Sequence, residues 1–193
     1  MNIKIKNIFL FLLVLLMCGK PKEYIRNEKY GFAHKIPKGW REWKIPENSP
    51  IVSYIGKAPS SEFQVAVGTL MTMSEKDREL LEDIEGKSIK TISANASNQE
   101  KYKYIEERLK NSMSEDGEII SIERIEFQGY PGVSLFWKER RDKYVKFFKE
   151  IGVIKEGKFY VILGSYFKAK NTEERKAEIE SLINSFKFIK GGS

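Results

Sequence analysis

His34 is the only histidine in this chain, and proton transfer near neutrality would fall to it first. It stands in Tyr30-Gly-Phe-Ala-His-Lys-Ile, where Tyr30, Phe32, His34 and Ile36 alternate onto one face of a predicted strand. That setting predicts a core or rim histidine rather than a proton shuttle. A metal site usually needs more imidazole or thiolate than the chain owns. Met71 and Met73 share a predicted strand face and read as core. Gly86-Lys87-Ser88 ends like a phosphate-binding loop, but Leu81 stands where that loop needs its first glycine, and a helix precedes it. No Gly-x-Ser-x-Gly and no His-Glu-x-x-His occurs. The acidic pairs Glu82/Asp83 and Glu106/Glu107 fall on predicted helix surfaces and read as solvated charge. A carboxylate dyad assembled from distant strands stays open. No catalytic, cofactor-binding or metal-ligating residue is assigned, and no cofactor is expected.

One local run is unusual. Lys138, Arg140, Arg141, Lys143, Lys146 and Lys149 face only Glu139 and Asp142, with Tyr144, Phe147 and Phe148 interleaved. Basic residues among aromatics can bind nucleic acid, but an exported protein rarely meets any, so no nucleic-acid partner is expected. The six residues form a candidate docking patch for lipid headgroups or an acidic protein partner. The plainer reading is a hairpin whose charge blocks edge pairing.

Cys18 is the only cysteine. It closes the apolar run Ile8–Met17, which follows Lys4 and Lys6. The run is short of the roughly 20 residues of a transmembrane helix. It matches the hydrophobic region of a secretory signal. Leu15-Leu16-Met17-Cys18 resembles a bacterial lipobox, with Leu15 as the aliphatic residue three before the cysteine. Met17 departs from the small residue usual there. The resemblance implies that Cys18 takes a diacylglyceryl group and becomes the first mature residue. Two or three acyl chains anchor stably where one is marginal. With no second cysteine the fold holds no disulfide. The expected organisation is therefore a lipoprotein signal over residues 1–17, a lipidated tether over 18–28 and one domain over 29–190. Gly19 carries no acidic retention signal, which favours the outer membrane if the cell has two.

The composition is 41% hydrophobic and 32% charged, with a net charge of +7. These values fit a globular domain and exclude a disordered chain. Short alternating strands are predicted around Tyr30–Ile36, Trp40–Ile45, Ile51–Lys57 and Glu62–Met73. A short helix is predicted from Ser74 and a longer amphipathic one over Ser88–Met113. Further strands follow: Glu118–Phe127 with a bulge between Ile122 and Ile125, then Val133–Trp137, Tyr144–Ile154 and Phe159–Phe167. Gly129–Gly132 and Glu156-Gly157-Lys158 read as turns. Phe159, Val161 and Leu163 oppose Tyr160, Ile162 and Tyr166, so the last of these strands needs cover on both faces. Asn171 or Thr172 caps a final helix carrying Ile179, Leu182 and Ile183. Hairpins and a doubly covered strand predict an α+β fold, a three-layer α/β/α sandwich with a mainly antiparallel central sheet.

Three stretches resemble the PsbP/Mog1-like family. "YGFAHKIPKGW" is similar to its opening strand and Pro-x-x-Trp turn, here Pro37-Lys38-Gly39-Trp40. "GYPGVSLFW" is similar to its middle turn and strand. "GKFYVILGSYF" with "IESLINSFKF" is similar to its last hairpin strand, helix and closing aromatic pair, Phe186 and Phe188. The likeness runs from about Glu28 to Ile189. It implies the same sandwich, and many bacterial members are small exported lipoproteins, in agreement with Cys18. Plant and cyanobacterial members assist photosystem II and the Mog1 branch binds a small GTPase, but no functional residue of either branch has a counterpart here. The expectation is a non-enzymatic, lipid-anchored binding or accessory protein with an envelope protein or ligand as partner. The alternatives are an envelope hydrolase using carboxylates gathered by the fold, and a surface protein touching host molecules.

Overall fold

Alternation of apolar and polar residues dictates most of the observed architecture. The computed structural model describes residues 23–45, 49–58, 61–69, 96–141 and 143–190. The signal run, Cys18, Met71, Met73, the helix expected from Ser74 and the first part of the helix expected from Ser88 lie outside these residues.

Ten strands and two helices follow one another among the described residues. They are β1 (Tyr24–Asn27), β2 (Phe32–Lys35), β3 (Arg41–Glu42), β4 (Ile51–Lys57), β5 (Ser61–Thr69), α1 (Asn98–Ser112), β6 (Glu118–Phe127), β7 (Tyr130–Arg141), β8 (Tyr144–Lys155), β9 (Lys158–Phe167), α2 (Thr172–Ser185) and β10 (Lys187–Phe188). Seven strands form the main sheet in the order β3-β4-β5-β9-β8-β7-β6, and β1-β2-β10 form a smaller one. Every pairing is antiparallel.

The main sheet is covered on both faces. On one, Ile105 and Leu109 of α1 pack with Val133, Leu135, Trp137, Phe148 and Phe159. On the other, Ile179, Leu182 and Ile183 of α2 pack with Phe63, Val65, Ile151, Val153, Ile162 and Tyr166. The predicted split of β9 is the observed one: Phe159, Val161 and Leu163 face α1, while Tyr160, Ile162 and Tyr166 face α2. Gly152 lets α1 approach closely, since a Cβ there would lie 2.6 Å from Ile105. Gly164 does the same for α2 against Ile179. The result is an α/β/α sandwich.

The structure corrects several expectations. Tyr24–Asn27 is a strand rather than tether, because Ile25 is buried beside its register partner His34. The helix expected from Ser88 begins at Asn98 within the described residues. Ser97 caps it, its hydroxyl accepting from Glu100 N at 3.3 Å while Glu100 Oε2 accepts from Ser97 N at 2.7 Å. This reciprocal capping box satisfies backbone donors that the first turn cannot. The β6 bulge lies between Ile119 and Ser121 rather than between Ile122 and Ile125. Ile122 and Ile125 serve opposite layers, as residues three apart on a regular strand must. The β6–β7 turn is Gln128-Gly129, not Gly129–Gly132, since Phe127 already pairs with Tyr130. Both turn residues take positive φ, 54° and 84°, the geometry that suits a two-residue hairpin. The strand expected over Trp40–Ile45 shortens to Arg41–Glu42.

Candidate functional site

Strand alternation decides what faces α1. From β7 come Leu135, Trp137 and Glu139; from β8 come Lys146, Phe148 and Glu150; from β9 come Val161, Leu163 and Ser165. The register lines these side chains up across the sheet. Leu135, Glu150, Leu163 and Gln64 form one row, and Trp137, Phe148, Ser165 and Glu62 form the next. Toward the β7–β8 hairpin, Glu139 stands opposite Lys146. The face thus passes from apolar under α1 to charged at the hairpin.

The last turn of α1 and the chain leaving it overhang this face and leave a cleft of about 510 Å³. Ala66, Phe148, Phe159, Val161 and Leu163 line its apolar part, with Gln64, Arg108, Ser112, Ser114, Glu139 and Glu150 around them. A volume of this order suits a small ligand.

Two carboxylates in the cleft are buried, Glu139 at 4% exposure and Glu150 at 2%. Glu150 accepts from Trp137 Nε1 at 2.6 Å and from Ser112 Oγ at 3.4 Å. Burial pushes the Glu150 carboxyl above the ordinary carboxylate range, and these two donors offset only part of that rise. Trp137 is held on its other side by Phe148, the rings stacked at 4.0 Å and 7°. Glu139 accepts from Ser114 Oγ at 2.9 Å. Next to the cleft, Lys146 pairs with Glu62 at 3.2 Å and lies over the rings of Phe148 and Phe167. Among the described residues no three His, Cys, Asp or Glu side chains gather as a metal cage would.

The sequence pattern missed this cleft. Glu139 entered it only as a counter-charge, and Glu150 not at all. The available signal was a carboxylate on the apolar phase of an alternating strand, in Trp137-Lys-Glu139 and in Phe148-Lys-Glu150.

The six basic residues of the candidate patch are divided by the same alternation. Lys146 faces α1, while Lys138, Arg140 and Lys149 take the opposite phase, and Lys143 stands at the hairpin. Arg141 ends β7 opposite Tyr144. Lys138 pairs with Glu118 at 3.0 Å. Lys149 lies 5.8 Å from the Phe136 ring centre and Lys143 5.5 Å from that of Tyr144. His34 is fully buried, its Nδ1 donating to the Lys35 carbonyl at 2.9 Å and its Nε2 2.8 Å from Ser53 Oγ.

Neither family models nor curated protein sequences match this chain. Solved structures do. The solution structure of cyanobacterial PsbP (CyanoP) from Synechocystis sp. PCC 6803 superposes with a TM-score of 0.55, at 14% identity over 89% of this chain and 96% of its own. The fold is PsbP/Mog1-like. Other structures with lower TM-scores include LpqN, involved in cell envelope biogenesis of Mycobacterium tuberculosis, at 0.48 and 10% identity, covering 89% of this chain and 87% of that one. The Saccharomyces cerevisiae Ran-binding protein Mog1p scores 0.45 at 9% identity, covering 86% and 94%. Identities this low establish the PsbP/Mog1-like fold and nothing about function. No helix among the described residues is long and apolar enough to cross a membrane.

Proposed function

We propose that this chain is an exported, lipid-anchored binding or accessory protein without catalytic activity. It holds a small ligand or an envelope protein at a bacterial membrane, the outer one where there are two. The observation that carries this reading is the position of Cys18 directly after a basic, apolar leader too short to span a bilayer. The cleft supports the binding part. Its two buried carboxylates already accept from Trp137, Ser112 and Ser114, and Ala66, Phe148, Phe159, Val161 and Leu163 give the floor an apolar part. On the phase facing away from α1, Lys138, Arg140 and Lys149 offer a second surface for an acidic partner.

The test is acylation. Cells expressing the full chain are fed a fatty-acid probe, and the mature N-terminus is identified by mass spectrometry. The expected result is a labelled protein beginning at an acylated Cys18, with labelling lost in Cys18→Ser. Equal labelling of that variant, or a mature chain still carrying Met1, would refute the anchor.

One observation favours a second reading, that of an envelope hydrolase. Glu150 is a buried carboxyl that holds its proton more tightly than usual and lines a cleft with Glu139. A group of that kind suits general acid catalysis. Turnover of ester, amide or glycoside substrates that Glu150→Gln abolishes would replace the binding reading with this one.

A further inference from the structure

The small sheet shows a face with no role in the cleft. Strand alternation turns Ile25, Phe32, His34 and Phe188 toward the core. It turns Tyr24, Arg26, Ala33, Lys35 and Lys187 outward, with Tyr24 opposite Lys35 and Lys187 opposite Ala33. Ala33 is the small residue at the centre. Together with the end of α2, this outer face makes a groove of about 430 Å³. Tyr24, Lys35, Lys187, Ile189 and Asn184 line it, and among the described residues no carboxylate does. Arg26, nearby and also exposed, is paired with Glu28 at 3.2 Å, and both lysines of the groove are exposed. Tyr24 is 50% exposed, a ring with one apolar side and a polar tip.

We propose that this groove seats the headgroup of an anionic phospholipid and so fixes which pole of the domain meets the membrane. The proposal rests on the Cys18 anchor for its geometry. Tyr24 opens β1, and the chain from Cys18 to Tyr24 can cover at most roughly 20 Å. The groove is therefore held within reach of the surface that carries the acyl chains. Lysines close to an anionic leaflet are attracted to it individually, and tyrosine favours the headgroup layer. Phosphate oxygens would accept from Lys35 and Lys187, with the glycerol region against Ala33 and Ile189. The cleft under α1 is built from other strands and is not needed for this contact.

The test uses the full mature lipoprotein mixed with phosphatidylcholine vesicles, with and without phosphatidylglycerol. Flotation and amide hydrogen exchange are both read. The expected result is slowed exchange over residues 23–35 and 187–189 only when phosphatidylglycerol is present. High salt should remove that protection, because exposed charges are screened. Lys35→Glu with Lys187→Glu should lose it as well, while β8 and β9 stay as protected as in the parent and so report an intact fold. Equal exchange in the two kinds of vesicle would overturn the groove proposal, as would protection that survives both lysine changes. Flotation on pure phosphatidylcholine decides the anchor separately. A protein that fails to float there but gains protection with phosphatidylglycerol would sink the anchor and uphold the groove.

Discussion

Glu150 is a residue whose chemistry and packing pull against each other. A carboxylate at 2% exposure loses its hydration, and Trp137 Nε1 at 2.6 Å and Ser112 Oγ at 3.4 Å return only part of it. The folded protein therefore holds the Glu150 proton more tightly than the unfolded chain does. By linkage, stability falls as pH rises from the ordinary carboxylate range through the raised value, and the group adds no such penalty below that range. Glu150→Gln removes the penalty and keeps an oxygen to accept from the Trp137 indole. The variant should melt at a higher temperature than the parent at neutral pH, and the difference should close below about pH 4. A lower melting temperature at neutral pH would mean that the ionised carboxylate is stabilising after all. His34 was legible as a core residue because its neighbours on the strand phase, Phe32 and Ile36, are apolar. Glu150 was not, because a charge in a strand reads as solvent-facing until a helix is known to cover that phase.

Elements were legible wherever two signals coincided. In β4, β8 and β9 alternation and turn residues agree, and Glu156-Gly157, both at positive φ, mark the last hairpin. Where one signal acted alone the boundary moved. The apolar spacing from Ile89 to Met113 resembles one helix, but spacing cannot see the chain enter a cap, and Ser97-x-x-Glu100 was the sign that it does. Tyr24–Asn27 is too short and polar to announce a strand, and only its pairing with β2 makes it one. The cap is a measurable part of α1. Ser97→Ala removes the acceptor for Glu100 N and leaves the Glu100 carboxylate without its hydroxyl donor. The expected cost is about 1 kcal/mol, read by chemical denaturation, with faster amide exchange confined to the first turn of α1. Faster exchange at the Met113 end instead would show that the cap does not govern the helix start.

At the scale of the molecule, the three-layer order followed from one strand. β9 is apolar on both phases, so helices had to cover both faces. What the strand pattern could not say is which strands each helix covers, because that depends on the order β5-β9-β8-β7 across the sheet. Among the described residues there are two apolar cores that share no side chain but share the strands between them. Ile105 of α1 packs where Gly152 of β8 leaves room, and Ile179 of α2 where Gly164 of β9 does. Opening either core would strip one face of the same hydrogen-bonded pair, β8 and β9. The two layers should therefore unfold together, although their side chains never touch. Ile105→Val and Ile179→Val should each cost about 0.5–1.5 kcal/mol. Their sum should match the double variant to within about 0.5 kcal/mol, as for sites without shared partners. Trp137 reports one core and Trp40 the other. In denaturant melts of either variant, fluorescence and near-ultraviolet circular dichroism should shift as a single transition. Two transitions, each moved by only one of the substitutions, would show that the central strands do not couple the layers.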